Sequence, residues 1–148
     1  MLRVTARIAQ KGKPMATIDT IEGLGHKQAT LLRKARVRTT ESLLKNAATR
    51  RDRRELSART SLSEQSILEW VKRADLMRVK GVGEEYSDLL EAVGVDTIKE
   101  LRRRNSRNLL SAMIEVNHMK NFVRRLPTET MVERWVEYAK TLEPIVKY

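Results

Sequence analysis

Two glycine pairs are the residues of this sequence best suited to bind an anion. Gly23 and Gly25 enclose a leucine, Gly81 and Gly83 enclose a valine, and each pair precedes a predicted helix. Glycine permits a tight turn and lets another group approach the backbone closely. The first amides of a helix lack intrahelical partners, and the helix dipole makes that end positive. Each pair therefore predicts a turn whose backbone N–H groups can hold a phosphate.

The residues that follow the two glycine pairs differ in charge. His26 and Lys27 follow the first pair, whereas Glu84 and Glu85 follow the second. A cation attracts a phosphate and a carboxylate repels it. We therefore expect the first turn to contact phosphate and the second to serve packing. For both turns the alternative is a helix corner in which glycine only permits close helix crossing.

The glycine pairs belong to a repeat with an offset of 58 residues. The matched positions are Ile18 with Leu76, Ile21 with Val79, Leu31-Leu32 with Leu89-Leu90, Ala35 with Val93, Val37 with Val95, Thr39 with Thr97 and Leu43 with Leu101. We place repeat one at residues 17–74 and repeat two at 75–148. Each repeat alone is near the size at which burial becomes marginal, so we expect the two to pack as one body.

Helices explain the apolar pattern of both repeats. In repeat one the pattern predicts helices near 26–35, from Thr39 or Thr40 onward, and at about 49–60 and 63–77. The last helix of each repeat carries a tryptophan within an apolar stripe at helical spacing. The two stripes are Ile67, Trp70, Val71 and Ala74, and Val132, Trp135, Val136 and Ala139. Ser63 and Thr128 are the predicted N-caps of these helices. No segment shows the alternation of a strand, so the chain is predicted to be all-α.

Both turns resemble a known DNA-binding motif. Residues 21–29 and 79–87 resemble helix-hairpin-helix motifs, which in many proteins bind the phosphate backbone of duplex DNA. The stretches 68–86, 94–101 and 123–127 extend the similarity to an uncharacterised bacterial family of tandem helix-hairpin-helix proteins, classed as a domain of unknown function. The similarity covers roughly residues 18–148. It implies an all-α fold of two tandem helix-hairpin-helix (SAM-like) repeats in one compact helical unit, and no settled activity.

Positive charge is concentrated in repeat one. The net charge is +11; residues 1–74 hold 17 basic and 7 acidic side chains, whereas residues 75–148 hold 13 and 12. Such a field attracts polyanions and speeds their association. We therefore predict largely sequence-independent binding of duplex DNA by repeat one. The predicted contacts are Gly23, Leu24, Gly25, His26, Lys27, Lys34, Arg36, Arg38, Arg50, Arg51, Arg53 and Arg54.

No catalytic residue is predicted. Lys27 has the position of the lysine that helix-hairpin-helix DNA glycosylases with lyase activity use, but that family also needs an aspartate further along the chain. Here no aspartate lies between Asp19 and Asp52, so the pair of nucleophile and base is absent. His26 and His118 are isolated, the chain has no cysteine, and neither glycine pair has the Gly-Lys-Ser/Thr ending of a phosphate loop. We expect no metal, no cofactor and no small-molecule substrate.

Two alternatives stay open at this point. The repeats can be the scaffold of a protein–protein adaptor whose basic face meets an acidic partner. Residues 56–71 also resemble a helix-turn-helix that would direct Gln65, Ser66 and Glu69 toward bases. Residues 127–136 repeat that pattern, which favours a helix pair that closes each repeat. Single-stranded nucleic acid is disfavoured because stacking needs exposed aromatic rings and the chain has only six.

The beginning of the chain is expected to be a basic, disordered arm over residues 1–16, or an upstream extension before Met15. It lacks the apolar stretch of a secretory signal. No apolar run approaches 18 residues, so no membrane partner is expected. Absence of cysteine is compatible with a reducing compartment. We expect a cytoplasmic protein, associated with the nucleoid if it binds DNA.

Overall fold

The computed structural model describes residues 16–21 and 23–148. Apart from Ala16, the predicted N-terminal arm lies outside the described residues. Within those ranges the chain forms eight α-helices, one short 3₁₀ helix and no strand, with a single isolated antiparallel bridge between Thr17 and Thr39. The predicted all-α class is confirmed.

The helices follow the order expected from the apolar pattern. A 3₁₀ helix at Ile18–Thr20 precedes α1 (His26–Lys34), α2 (Thr40–Ala47), α3 (Arg50–Thr60), α4 (Glu64–Leu76), α5 (Glu84–Ala92), α6 (Ile98–Arg102), α7 (Ser106–Met119) and α8 (Glu129–Lys140). Six of these α-helices begin with a side chain that accepts a hydrogen bond from the third helical amide, as N-caps do. The six are Thr39, Thr49, Ser63, Thr97, Asn105 and Thr128. The predicted caps Ser63 and Thr128 are among them.

The described chain divides into two compact units. Unit 1 is the chain up to Ala74 together with Val146–Tyr148, and unit 2 is Asp75–Ile145. In unit 1, α2 packs on α3, and α1 contacts both α3 and the 3₁₀ helix. Its interior is aliphatic around a buried Trp70. The fully buried side chains of this core are Ile18, Ala29, Leu32, Val37, Leu43, Ala47, Leu56, Ile67 and Val71.

Unit 2 has its own core around α8. Both α6 and α7 pack on α8, and α5 contacts α7. Trp135 of α8 is buried within a cluster of aliphatic side chains, and the ring of Tyr86 lies 5.1 Å from the Trp135 ring. The burial of Trp70 and Trp135 confirms that their stripes face the interior.

The two units share the local geometry of the glycine turns. Gly23 has φ 87° and Gly81 has φ 94°, values that favour glycine. The Leu24 amide donates to the Ile21 carbonyl at 3.2 Å, and the Val82 amide donates to the Val79 carbonyl at 3.0 Å. Each turn leads into a helix of nine residues. The sequence repeat at this offset is therefore also a repeat of backbone conformation.

The connection between the last two helices is longer in unit 2 than in unit 1. Residues 61–63 join α3 to α4, whereas residues 120–128 join α7 to α8. The longer connection is held by the buried side chain of Asn117, whose Oδ1 accepts from the amides of Phe122 and Val123. Extra residues of unit 2 are thus accommodated in a connection with its own hydrogen-bond support.

Candidate nucleic-acid interface

The first glycine turn leaves open space above the start of α1. A β-carbon added at Gly23 would meet no atom within 4 Å, so the positive φ, and not a close contact, calls for glycine there. Gly25 has an ordinary extended conformation (φ −75°, ψ 172°). A β-carbon at Gly25 would meet only the end of the flexible Gln28 side chain. Close approach of another element therefore does not explain either glycine.

Helix α1 begins without a side-chain cap. Its N-cap is Gly25, which has no side chain to accept from the first amides. His26 and Lys27 are exposed and Gln28 is half-buried. These amides are at the positive end of the helix and have no intrahelical acceptor. The start of α1 thus presents hydrogen-bond donors at the protein surface.

Leu24 does not belong to this set of donors, contrary to the prediction. Its side chain is 8% exposed and its amide already donates to Ile21. The apolar residue between the glycines turns into the core because the tight turn brings it under the helix start. Its predicted contact with DNA is therefore wrong.

Cationic side chains flank both ends of α1. His26 and Lys27 line a shallow depression with Thr30 and Leu31 at the start of the helix. The Lys27 side chain makes no hydrogen bond or ion pair with the described residues. Asp19, an acid of the preceding 3₁₀ helix, is paired with Arg33. Among the described residues, this leaves no acid paired with the Lys27 ammonium group.

At the other end of α1, Lys34, Arg36 and Arg38 are exposed. At a rise of about 1.5 Å per residue, Lys34 lies about 10 Å along the helix axis from Lys27. Arg36 has a left-handed backbone (φ 67°). The structure thus brings together on α1 and its flanking turns seven of the predicted contacts.

The arginines that open α3 divide into exposed and buried positions. Arg50, Arg51 and Arg54 are exposed. Arg51 lies 3.4 Å from Glu55, and both side chains are well exposed, so this pair adds little to stability. These three arginines remain available at the surface, although no contact ties them to the start of α1.

Arg53 is buried, which corrects its prediction as a DNA contact. It is 4% exposed, and its guanidinium donates to the carbonyls of Ala47 (3.0 Å), Ala48 (2.9 Å) and Lys147 (2.8 Å). Burial lowers the pKa of this guanidinium from its ordinary value. Arg53 shares the inner face of α3 with Leu56 and Thr60. Leu56 and Thr60 follow Arg53 at helical spacing, so the sequence contains a signal that Arg53 faces the interior. The neighbouring arginines make this signal easy to miss.

The second glycine turn has different surroundings. A β-carbon at Gly81 would lie 2.9 Å from the Trp135 Nε1 atom, so the indole packs directly against the turn. Glu84 and Glu85 are exposed at the start of α5. The Tyr86 hydroxyl donates to the Arg125 carbonyl at 2.9 Å. This turn combines close packing with two carboxylates at the place where the first turn has His26 and Lys27.

The side chains of the helix-turn-helix alternative are engaged locally. The Gln65 side-chain amide donates to the Glu69 carboxylate at 3.1 Å, and the Ser66 hydroxyl accepts from the Ser63 hydroxyl at 2.9 Å. Ile67 and Trp70 of the same helix are buried. At the start of α4, these polar groups therefore form the N-cap of the helix and one hydrogen bond within the helix.

The described part of the chain gives no indication of a metal centre: it holds no group of three or more histidine, aspartate or glutamate side chains that could bind an ion. His118 is exposed in the last turn of α7. In residues 16–21 and 23–148 no helix is long and apolar enough to cross a membrane.

Comparison with known proteins identifies one family. The family described as "Domain of unknown function (DUF4332)" matches residues 22–142, which include both glycine turns and all eight α-helices named above. No curated protein and no solved structure matches the chain. Because the match covers most of the sequence, the chain belongs to the DUF4332 family, a domain family of unknown function.

Proposed function

We propose that unit 1 binds duplex DNA through its phosphates, without catalysis and largely without sequence preference. In this proposal the amides at the start of α1 hold one phosphate, and Lys27 neutralises it. Lys34, Arg36, Arg38 and the exposed arginines of α3 add further charge contacts, each to a phosphate rather than to a base. Backbone contacts of this kind position a protein on DNA but carry no sequence information.

The contrast between the two glycine turns carries the proposal. Their backbone conformations match and both helices begin without a side-chain cap. They differ at two places: Gly23 faces open space whereas Gly81 lies against Trp135, and the helix start of the first turn carries His26 and Lys27 whereas that of the second, which follows Lys80, carries Glu84 and Glu85. The difference in charge at the helix start favours a phosphate at the first turn. An uncapped helix start beside an uncommitted cation is suited to a phosphate oxygen.

The charge distribution supports nucleic acid as the ligand, and the aromatic residues favour a duplex. The excess of basic side chains lies before residue 75. Stacking on single-stranded bases needs exposed rings. Trp70 and Trp135 are buried, and Tyr148 is the only aromatic residue that is mostly exposed in the described chain. A duplex offers a regular array of phosphates that requires no stacking platform.

The proposal includes the finer assignment of the family. We interpret residues 21–29 and 79–87 as helix-hairpin-helix motifs, and the chain as a tandem protein of bacterial type that acts at the nucleoid in the cytoplasm. The lyase chemistry of related motifs is left out for a physical reason. Lys27 has no acidic partner among the described residues, and Asp19 is engaged by Arg33, so none of the described acids is placed to activate the amine.

A titration of labelled nucleic acids tests the proposal. Anisotropy would be measured with duplex DNA, single-stranded DNA and RNA at several salt concentrations. Neutralising about three to five phosphates gives a slope of log K against log salt of roughly −3 to −4.5. Scrambling the duplex sequence should change the binding free energy by less than about 1 kcal/mol. Absence of duplex binding at low salt would contradict the proposal and favour an acidic protein partner.

Charge reversal at the two turns tests the site itself. Lys27→Glu should weaken duplex binding by about 1–2 kcal/mol, because a charge-assisted contact is lost and repulsion is added. Its stability should change by less than about 0.5 kcal/mol, since Lys27 is exposed. Lys45→Glu on α2 is the matched control, with the same charge change at an exposed site outside the interface. The double change Glu84→Lys with Glu85→Lys should strengthen binding. Equal losses in the Lys27 and Lys45 variants would show that only net charge matters.

A further inference from the structure

The turn after α1 contains an arginine in a conformation that favours glycine. The Val37 amide donates to the Leu32 carbonyl at 2.9 Å, and the Arg36 amide donates to the Arg33 carbonyl at 2.9 Å. This pair of bonds defines a Schellman motif, whose central residue is left-handed and usually glycine. Here that residue is Arg36, with φ 67°.

Unit 2 contains the same turn with the residue that the geometry prefers. After α5, the Val95 amide donates to the Leu90 carbonyl at 2.8 Å and the Gly94 amide donates to the Glu91 carbonyl at 3.0 Å. Gly94 has φ 90° and occupies the position that matches Arg36 at the repeat offset. A residue with a β-carbon is strained in this conformation. Arginine at the matching position of unit 1 therefore lowers the stability of its own turn.

Packing and helix electrostatics do not account for Arg36. The side chain is exposed and makes no hydrogen bond or ion pair with any described residue. Two other basic residues, Arg33 and Lys34, already lie in the last turn of α1, where they interact favourably with the dipole. The Arg59 guanidinium approaches the Ala35 carbonyl at 3.5 Å. The end of α1 thus has its stabilising cations without Arg36.

We infer that arginine occupies this strained position because its guanidinium contacts the ligand, as an affinity-determining contact to a phosphate of the DNA backbone. The inference rests on the proposed binding of duplex DNA and assigns one dominant side-chain contact within it. A guanidinium binds a phosphate through two parallel N–H groups, which an ammonium cannot reproduce. Arg36 is exposed just beyond the end of α1, whereas Lys27 lies in its first turn.

The substitution Arg36→Gly separates the two effects of this residue. We expect the Tm to stay the same or rise by up to about 3 °C, because the strain is removed. Duplex affinity should fall about 5- to 30-fold, and the salt slope should become shallower by about 0.9, as for one lost phosphate contact. Arg36→Lys should recover only part of the affinity, because it restores charge without the paired donors. Lys45→Gln removes a charge elsewhere in unit 1 and should cost less than about 2-fold.

The outcomes separate this inference from the proposed function. Wild-type protein that binds duplex DNA, together with unchanged affinity of Arg36→Gly, would overturn the role of Arg36 and leave the proposed function standing. Equal losses in Arg36→Gly and Lys45→Gln would overturn it too, since net charge would suffice. A Tm that falls in Arg36→Gly by more than about 3 °C would show that the fold needs the side chain. Wild-type protein without duplex affinity would overturn both proposals.

Discussion

Replacing Arg53 with methionine is expected to destabilise unit 1 although Arg53 lies in a run of surface arginines. Its guanidinium donates to the Ala47 and Ala48 carbonyls at the junction of α2 and α3, and to the Lys147 carbonyl. Methionine keeps a long unbranched side chain in the same space, so little packing is lost. The substitution therefore removes mainly the charged donors from their carbonyl acceptors.

The magnitude follows from the fate of each carbonyl oxygen. The Ala48 oxygen keeps the Lys147 amide as a donor at 2.7 Å. The Lys147 oxygen belongs to an exposed residue and can be hydrated. The Ala47 oxygen belongs to a fully buried residue and loses its guanidinium partner. One orphaned acceptor costs about 1–3 kcal/mol, and hydrogen bonds to a charged group contribute more than neutral ones. Since methionine also avoids burying a charge, we expect a net loss of about 2–3 kcal/mol.

Urea unfolding followed by far-ultraviolet circular dichroism measures this loss, and a thermal scan should show a Tm lower by about 4–12 °C. Arg54→Met is the matched control: the neighbouring side chain is exposed, so its stability should change by less than about 0.5 kcal/mol. Duplex binding should show the reverse order, with affinity reduced in Arg54→Met and kept in folded Arg53→Met. A loss below about 0.5 kcal/mol in Arg53→Met would refute the structural role of the guanidinium.

Three further outcomes are expected. Gly81→Ala should lower the free energy of unfolding by about 1–3 kcal/mol, because the backbone is left-handed and the new β-carbon would meet Trp135. Gly83→Ala, where the β-carbon would meet open space, should lower it by less than about 1 kcal/mol in the same urea titration. Asn117→Ala should lose about 2–3 kcal/mol, since it leaves the amides after α7 without their buried acceptor; hydrogen exchange of those amides would report the opening directly. Borohydride added to the protein with abasic-site DNA should trap no covalent adduct, because Lys27 has no base beside it among the described residues. An adduct that is lost in Lys27→Ala would contradict the proposed absence of catalysis.

The sequence was sufficient for the features that depend on local backbone chemistry. A hydroxyl three residues before a helical amide caps a helix wherever the helix is packed, so Ser63 and Thr128 could be identified from spacing alone. The burial of the two tryptophans can be predicted in the same way. Each lies at helical spacing from aliphatic residues, so it shares with them the one apolar face of its helix, which packs on the core. These signals are enough to predict the all-α class and the approximate extents of the helices of repeat one.

The availability of each cation was decided by contacts between distant residues. Arg53 is withdrawn from the surface by acceptors that include a carbonyl 94 residues away, and Arg33 is paired with an acid 14 residues earlier. In the sequence, both are basic residues within a basic segment, and nothing near them indicates these partners. The position of Leu24 between two glycines predicts an interface residue, whereas in the structure its side chain is buried.

Helices, the caps Ser63 and Thr128 and the two glycine turns can thus be predicted from short stretches of sequence, because hydrogen bonds and side-chain periodicity within a few residues specify them. The packed fold is needed to see that Gly23 faces open space while Gly81 lies against Trp135, and that Arg36 is exposed while Arg53 is buried. Solvent exposure of a glycine or a charge depends on which remote side chains and carbonyls pack against it, and no local pattern encodes those partners.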